Sequence, residues 1–126
     1  MPTKIVSTAS AEHYKWGGPK GTDCDGWYLV QASELNVIEE RMPPGTAETR
    51  HYHQRSRQFF YVLAGELTLE VEHHDFVLRA GDGLEIAPGQ EHQARNRSAD
   101  AVRILVTSQP PSHGDRIESP APASKP

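Results

Sequence analysis

The stretch Gly65-Glu66-Leu67-Thr68-Leu69-Glu70-Val71-Glu72 decides the fold class. Leu67, Leu69 and Val71 fall on one parity, and Thr68, Glu70 and Glu72 on the other. A strand turns successive side chains to opposite faces, so this run predicts a strand with one face buried. Residues 101–107 alternate in the same way, with Val102, Ile104 and Val106 on one side. Strand-like runs also cover residues 27–31, 35–42, 58–63, 76–79, 84–87 and 92–95. Turn-forming clusters separate them: Met42-Pro43-Pro44-Gly45, Ala64-Gly65, His73-His74-Asp75, Ala80-Gly81-Asp82-Gly83 and Pro88-Gly89. Many short strands at this spacing predict an all-β sandwich or barrel, and the mouth of a barrel is a natural ligand site.

The chain has 126 residues, which suits a single domain. Residues 1–12 read as a flexible N-terminus and 13–117 as the barrel. Residues 118–126 read as a disordered tail, because they are dominated by Pro, Ala and Ser. No apolar run reaches the length of a membrane span, and the first residues lead into none long enough for a signal peptide. The expectation is therefore a cytoplasmic protein that does not bind membranes. A net charge of 13 − 17 = −4 argues against nucleic acid as a partner. The one cysteine, Cys24, excludes an intrachain disulfide framework and a cysteine-rich zinc site. Asp23 and Asp25 flank it and should raise its pKa, which makes it a poor nucleophile. Seven histidines leave a histidine-led metal site as the favoured metal chemistry.

His51-Tyr52-His53 puts two imidazoles two residues apart, on one face of a strand. The surrounding spacing is Gly45-x5-His51-x-His53-x4-Gln58-x6-Gly65, followed by Gly81-x5-Ala87-Pro88-Gly89-x2-His92-x3-Asn96. In these two motifs the chain resembles the cupin superfamily over residues 45 to 96. That resemblance implies a double-stranded β-helix barrel of the jelly-roll type. It also implies a divalent metal held by His51, His53, Gln58 and His92. Imidazoles with oxygen ligands suit Zn, Ni, Mn or Fe in an open site. Two positions depart from the family pattern. Ala87 replaces a proline, but Pro88 follows at once and should preserve the turn. Gln58 stands where the family usually has glutamate, so it either offers a neutral amide oxygen or sits beside a three-histidine metal. A neutral ligand set leaves the metal's charge uncompensated. This favours Lewis-acid chemistry on a small oxygen-rich metabolite, by isomerisation, lyase or hydrolytic steps, over oxygen activation. The glutamine also resembles that of some sugar-acid-processing cupins, which implies an isomerase or lyase of that kind. A dioxygenase in the same pocket and a non-catalytic ligand-binding protein are the alternatives.

Inward-pointing His51 and His53 would place Gln58, Phe60 and Val62 in the lumen, and Phe59, Tyr61 and Leu63 outside. The sequence leaves open which parity of residues 35–42 faces inward, and so whether Glu39 or Glu40 stands beside the metal as a general base. His73 and His74 read as a solvated turn. Residues 110–116 are compact enough to fold over the barrel mouth, with His113 near substrate and Arg116 the best anion-binding group. Tyr14, Trp16, Trp27 and Tyr28 crowd the N-terminal part, so that segment should pack on the barrel or on the second subunit of a homodimer.

Overall fold

A computed structural model describes residues 3–119. The strands are β1 (Glu12–Trp16), β2 (Cys24–Gln31), β3 (Asn36–Met42), β4 (His51–His53), β5 (Arg57–Ala64) and β6 (Glu66–Val71). They continue with β7 (His74–Arg79), β8 (Gly83–Ile86), β9 (His92–Arg95), β10 (Val102–Gln109) and β11 (Arg116–Glu118). One sheet runs β1-β2-β3-β10-β5-β8 and the other β11-β4-β9-β6-β7, with neighbours antiparallel. This is the expected all-β double-stranded barrel. The predicted strands are all present, with ends shifted by up to three residues.

The inward rows explain where the core stops and the cavity starts. Across β3, β10 and β5 the register sets Met42 against Val102 at one end and Asn36, Ser108 and Gln58 level at the other. Met42, Val62, Val102 and Ile104 are fully buried. Each inward row thus changes from apolar to polar along its length. One end of the barrel closes as a dry core, and the other opens as a polar cavity. Gln58, Phe60 and Val62 do face inward, with Phe59 and Leu63 exposed. On β3 the inward parity is Asn36, Ile38, Glu40 and Met42. Glu39 faces outward and is held by Arg103.

Three expectations need correction. Strand β6 is buried on both faces rather than one: Glu70 is only 3% exposed. The cause is Arg50, whose guanidinium donates to both Glu70 oxygens at 2.7 and 3.0 Å, while the His73 N–H donates to Oε2 at 2.7 Å. The hairpin turn after β6 is Glu72-His73, one residue earlier than expected. Both residues have positive φ, 50° and 72°, as a two-residue hairpin turn requires. Cys24 is buried in the core, and that burial, more than the neighbouring aspartates, pushes its thiol up.

The ends of the barrel extend slightly beyond the predicted body. Glu12 already belongs to β1, and Glu118 to β11. Ser119 is buried, and its N–H donates to the Arg50 carbonyl. The rest of the predicted tail, residues 120–126, lies outside the described residues.

Short strand β11 is held by its neighbour Asp115. This buried carboxylate accepts the N–H groups of Gln54, Arg55 and Ser56 at 3.1, 2.9 and 2.8 Å. Those hydrogen bonds favour the charged form and hold the Asp115 carboxyl below its ordinary value, although burial opposes them. The Ser56 hydroxyl also donates to the Pro110 carbonyl at 2.6 Å. Asp115→Ala would leave three N–H groups in the β4–β5 turn without their partner. We expect it to lower stability by roughly 3 kcal/mol, read by thermal or urea unfolding. A loss within ~0.5 kcal/mol would show that water replaces the carboxylate at no cost.

Candidate metal centre

Three imidazoles meet on the inner face of the second sheet. Strand β4 lies between β9 and β11, and its register sets His51 directly opposite His92. His53 follows two residues on, on the same face. All three are buried, at 3%, 4% and 0% exposure. Ring centroids lie 4.8 Å apart for His51 and His53, 4.5 Å for His51 and His92, and 5.9 Å for His53 and His92. One nitrogen from each lies within 4.8 Å of the others, so small ring rotations bring them around one ion.

Local contacts prepare these rings as ligands. His51 Nδ1 lies 2.7 Å from the Thr49 carbonyl, and His92 Nδ1 lies 2.9 Å from that of Gln90. A ring N–H given to a carbonyl leaves Nε2 as a bare acceptor, available to an ion among the three rings. The β8–β9 turn secures the third ring's backbone, because the Gly89 N–H donates to the His53 carbonyl at 2.7 Å. Gly89 has φ 86°, which favours glycine there. Ala87 keeps an N–H that proline would lack, and it donates to Gln90 Oε1 at 2.8 Å. The expected turn therefore survives the substitution.

Gln58 reaches the cavity from the facing sheet. Its amide nitrogen donates to Ser108 Oγ at 3.0 Å, which leaves Oε1 buried without a partner. Both nitrogens of His53 and Nε2 of His92 are likewise buried without a hydrogen-bond partner. A buried polar atom left unpaired costs about 1–3 kcal/mol. Four such atoms, on His53, His92 and Gln58, form a donor set of neutral nitrogens and an amide oxygen. That set fits a divalent transition metal.

The cavity holds about 210 Å³, and two carboxyl groups share it. Glu40 lies on β3, and the Tyr14 hydroxyl donates to its Oε2 at 3.2 Å. Burial first, and the charge of Glu48 second, push the Glu40 carboxyl up to about 8. Glu48 precedes β4, and its Oε2 accepts the Ala94 N–H at 2.9 Å. Burial raises its carboxyl as well. Sequence reasoning missed Glu48, which sits in a loop with no periodicity. Its place three residues before His51 was the available signal. Tyr14, Trp16 and Tyr28 line the cavity, as do Ser112, His113 and Arg116. The N-terminal aromatics thus pack on the barrel of their own chain, and residues 110–116 do fold over its mouth. His73 and His74 are exposed and stand outside the site.

Burial pushes the His51 and His53 imidazoles down to about 4 each, and that of His92 down as well. These rings are neutral in the folded protein at pH 7, as metal binding requires. A free histidine titrates near 6.5. Below that value the unfolded chain takes up protons that the folded one refuses. We therefore expect the metal-free protein to lose stability as pH falls from about 6.5 towards 4, in unfolding midpoints measured across that range. His51→Gln should flatten the slope. An unchanged slope would place the titration elsewhere.

The family model described as a cupin domain, Cupin_2, matches residues 38–108. The polyketide synthase CurC of Streptomyces cyaneus is 35% identical over 86 residues, 65% of this chain and 55% of CurC. The chain thus spans little more than half the length of that relative. The tetracenomycin polyketide synthase protein TcmJ of Streptomyces glaucescens is 29% identical over 127 residues, 96% of this chain and 84% of TcmJ. Among solved structures, the polyketide cyclase RemF of Streptomyces resistomycificus superposes with a TM-score of 0.79 at 16% identity. That match covers 96% of this chain and 88% of RemF, and it speaks for the fold. Two sheets in this topology, two motifs in register and a family match across most of the barrel agree: the chain belongs to the cupin family.

Proposed function

We propose that the protein is a metal-dependent enzyme that moves a proton beside a carbonyl in a small oxygen-rich metabolite, as a sugar-acid isomerase or lyase does. The observation that carries this reading is the convergence of unpartnered, buried neutral donors beside a carboxyl tuned close to physiological pH. His51, His53, His92 and the Gln58 amide oxygen would hold a divalent transition metal, which would supply Lewis-acid polarisation of substrate oxygens. Glu40 takes the proton from carbon and returns it, because a group with a pKa near the working pH can do both. Tyr14 positions that carboxyl through its hydroxyl. Tyr28, Phe60 and Ile38 wall the cavity and exclude water.

Size argues for a small substrate. The 210 Å³ cavity falls below the roughly 300–1,000 Å³ typical of drug-sized ligands. The polyketide names of CurC, TcmJ and RemF support a second reading, ring closure of a polyketide chain. That substrate would need the aromatic wall at the mouth to open.

Two measurements test the proposal. Elemental analysis of untagged protein should find about one divalent metal per chain in the wild type and almost none in His92→Ala. Gln58→Ala should lose part of the metal. A metal-free wild type removes the basis of the reading, while full occupancy in Gln58→Ala places that amide beside the metal instead of on it. In D2O, the nickel- or zinc-loaded protein should speed exchange of the pyruvate methyl protons, followed by NMR. Glu40→Gln should slow this by about a hundredfold. Exchange no faster than with the free metal ion argues against proton transfer here, and oxygen uptake by the iron-loaded protein would favour the dioxygenase.

A further inference from the structure

Arg116 is the only lysine or arginine in the cavity lining among the described residues. It opens β11, and the register sets it directly opposite His53. Opposed residues of an antiparallel pair point to the same face, so the guanidinium stands on the side of the three imidazoles. It lines the cavity mouth together with Ser112 and His113. Its Nη2 donates to the Thr49 carbonyl at 3.2 Å. Arg116 makes no direct ion pair among the described residues, and its charge acts at longer range on Glu40 and Glu48. It is nevertheless not loose. The preceding residue is Asp115, whose three backbone hydrogen bonds fix the start of β11.

We propose that Arg116, with Ser112 and His113 beside it, forms an anion subsite that takes a carboxylate of the substrate. This rests on the reading of the cavity as a substrate site and adds the chemical class of what enters it. A guanidinium presents its donors as a planar fork that matches a carboxylate. One fixed cation balances one negative charge. A phosphate dianion would carry a second charge past Glu40 and Glu48 with no further lysine or arginine in the cavity lining to meet it. The position opposite His53 also orients the ligand. A carboxylate held by Arg116 directs the carbon beside it towards the imidazoles, which suits a 2-hydroxy or 2-oxo acid. Ser112 and His113 supply further hydrogen-bond donors at the same rim.

The test uses the metal-free full-length protein, so that it does not depend on turnover or on metal. Lactate, lactamide and inorganic phosphate are titrated separately while the Arg116 side-chain Nε–H and the Gly114 amide are followed by NMR. Lactate should shift both signals saturably. Lactamide, of the same shape without the charge, should leave them unmoved, and phosphate should bind more weakly than lactate. Arg116→Gln should weaken lactate binding at least about tenfold, the scale of one lost charge-assisted contact. Arg116→Lys should recover only part of it, because an ammonium lacks the fork. The Arg116 Nε–H signal reports on the wild type directly, so the reading survives a variant that fails to fold. Equal affinity for lactate in Arg116→Gln, tighter binding of phosphate, or no shift with lactate would each overturn the subsite. Lactate binding in a protein that never takes up metal would keep the subsite and remove the metal reading, so the two fail separately.

Discussion

The Asp115 carboxylate accepts three consecutive backbone N–H groups of the β4–β5 turn, and the site is assembled around that clasp. It holds β11 against β4, a strand of only three residues. A strand that short has few ladder bonds of its own. Its position therefore depends on what flanks it: β9 on one side, β11 on the other, and the Gly89 N–H at the His53 carbonyl. From β4, register does the rest. His51 faces His92, and Arg116 faces His53. Chain segments about 60 residues apart are thereby brought to one cavity by hydrogen bonds to backbone, which depend little on the side chains between them.

The cavity brings together groups that are each costly to bury. Three neutral imidazoles and two carboxyls meet at a space of about 210 Å³, with the exposed Arg116 guanidinium at its mouth. Burial drives the histidines down and the carboxyls up, so these imidazoles and carboxyls move towards their uncharged forms. The buried part of the cavity is thus close to neutral, and Arg116 supplies the fixed charge at its mouth. A cation held by neutral donors would not be cancelled by its own ligands, and its field would fall on whatever else enters.

Much of this was legible from the chain, for a physical reason. Alternation with period two survives folding because one face of each strand must be dry, so β5, β6 and β10 could be placed from Phe60 and Val62, Leu67 and Leu69, and Ile104 and Val106. His51, His53 and His92 stood out because their spacing is set by strand geometry. Other features were not legible. β3 carries acids on both parities, Glu39 and Glu40, and only the β10 register shows which faces inward. β11 is too short to show a period. The Asp115 clasp joins positions 59 to 61 residues apart, and nothing local marks an aspartate as the partner of a distant turn. Glu70 looked like a solvent-facing residue because the sequence does not show that Arg50 covers it.

Among the described residues strand β10 is the last long strand, yet it lies in the middle of its sheet, between β3 and β5. During synthesis, every histidine of the cluster is made before residues 102–109. Until then β3 and β5 have no partner on their facing sides, and each presents an open row of N–H and C=O groups. The first sheet can only close around its final long piece, as a late and non-local event. The nascent chain therefore passes through a stage in which β3 and β5 are made but the barrel is still split, and its exposed edges must be kept apart until β10 arrives.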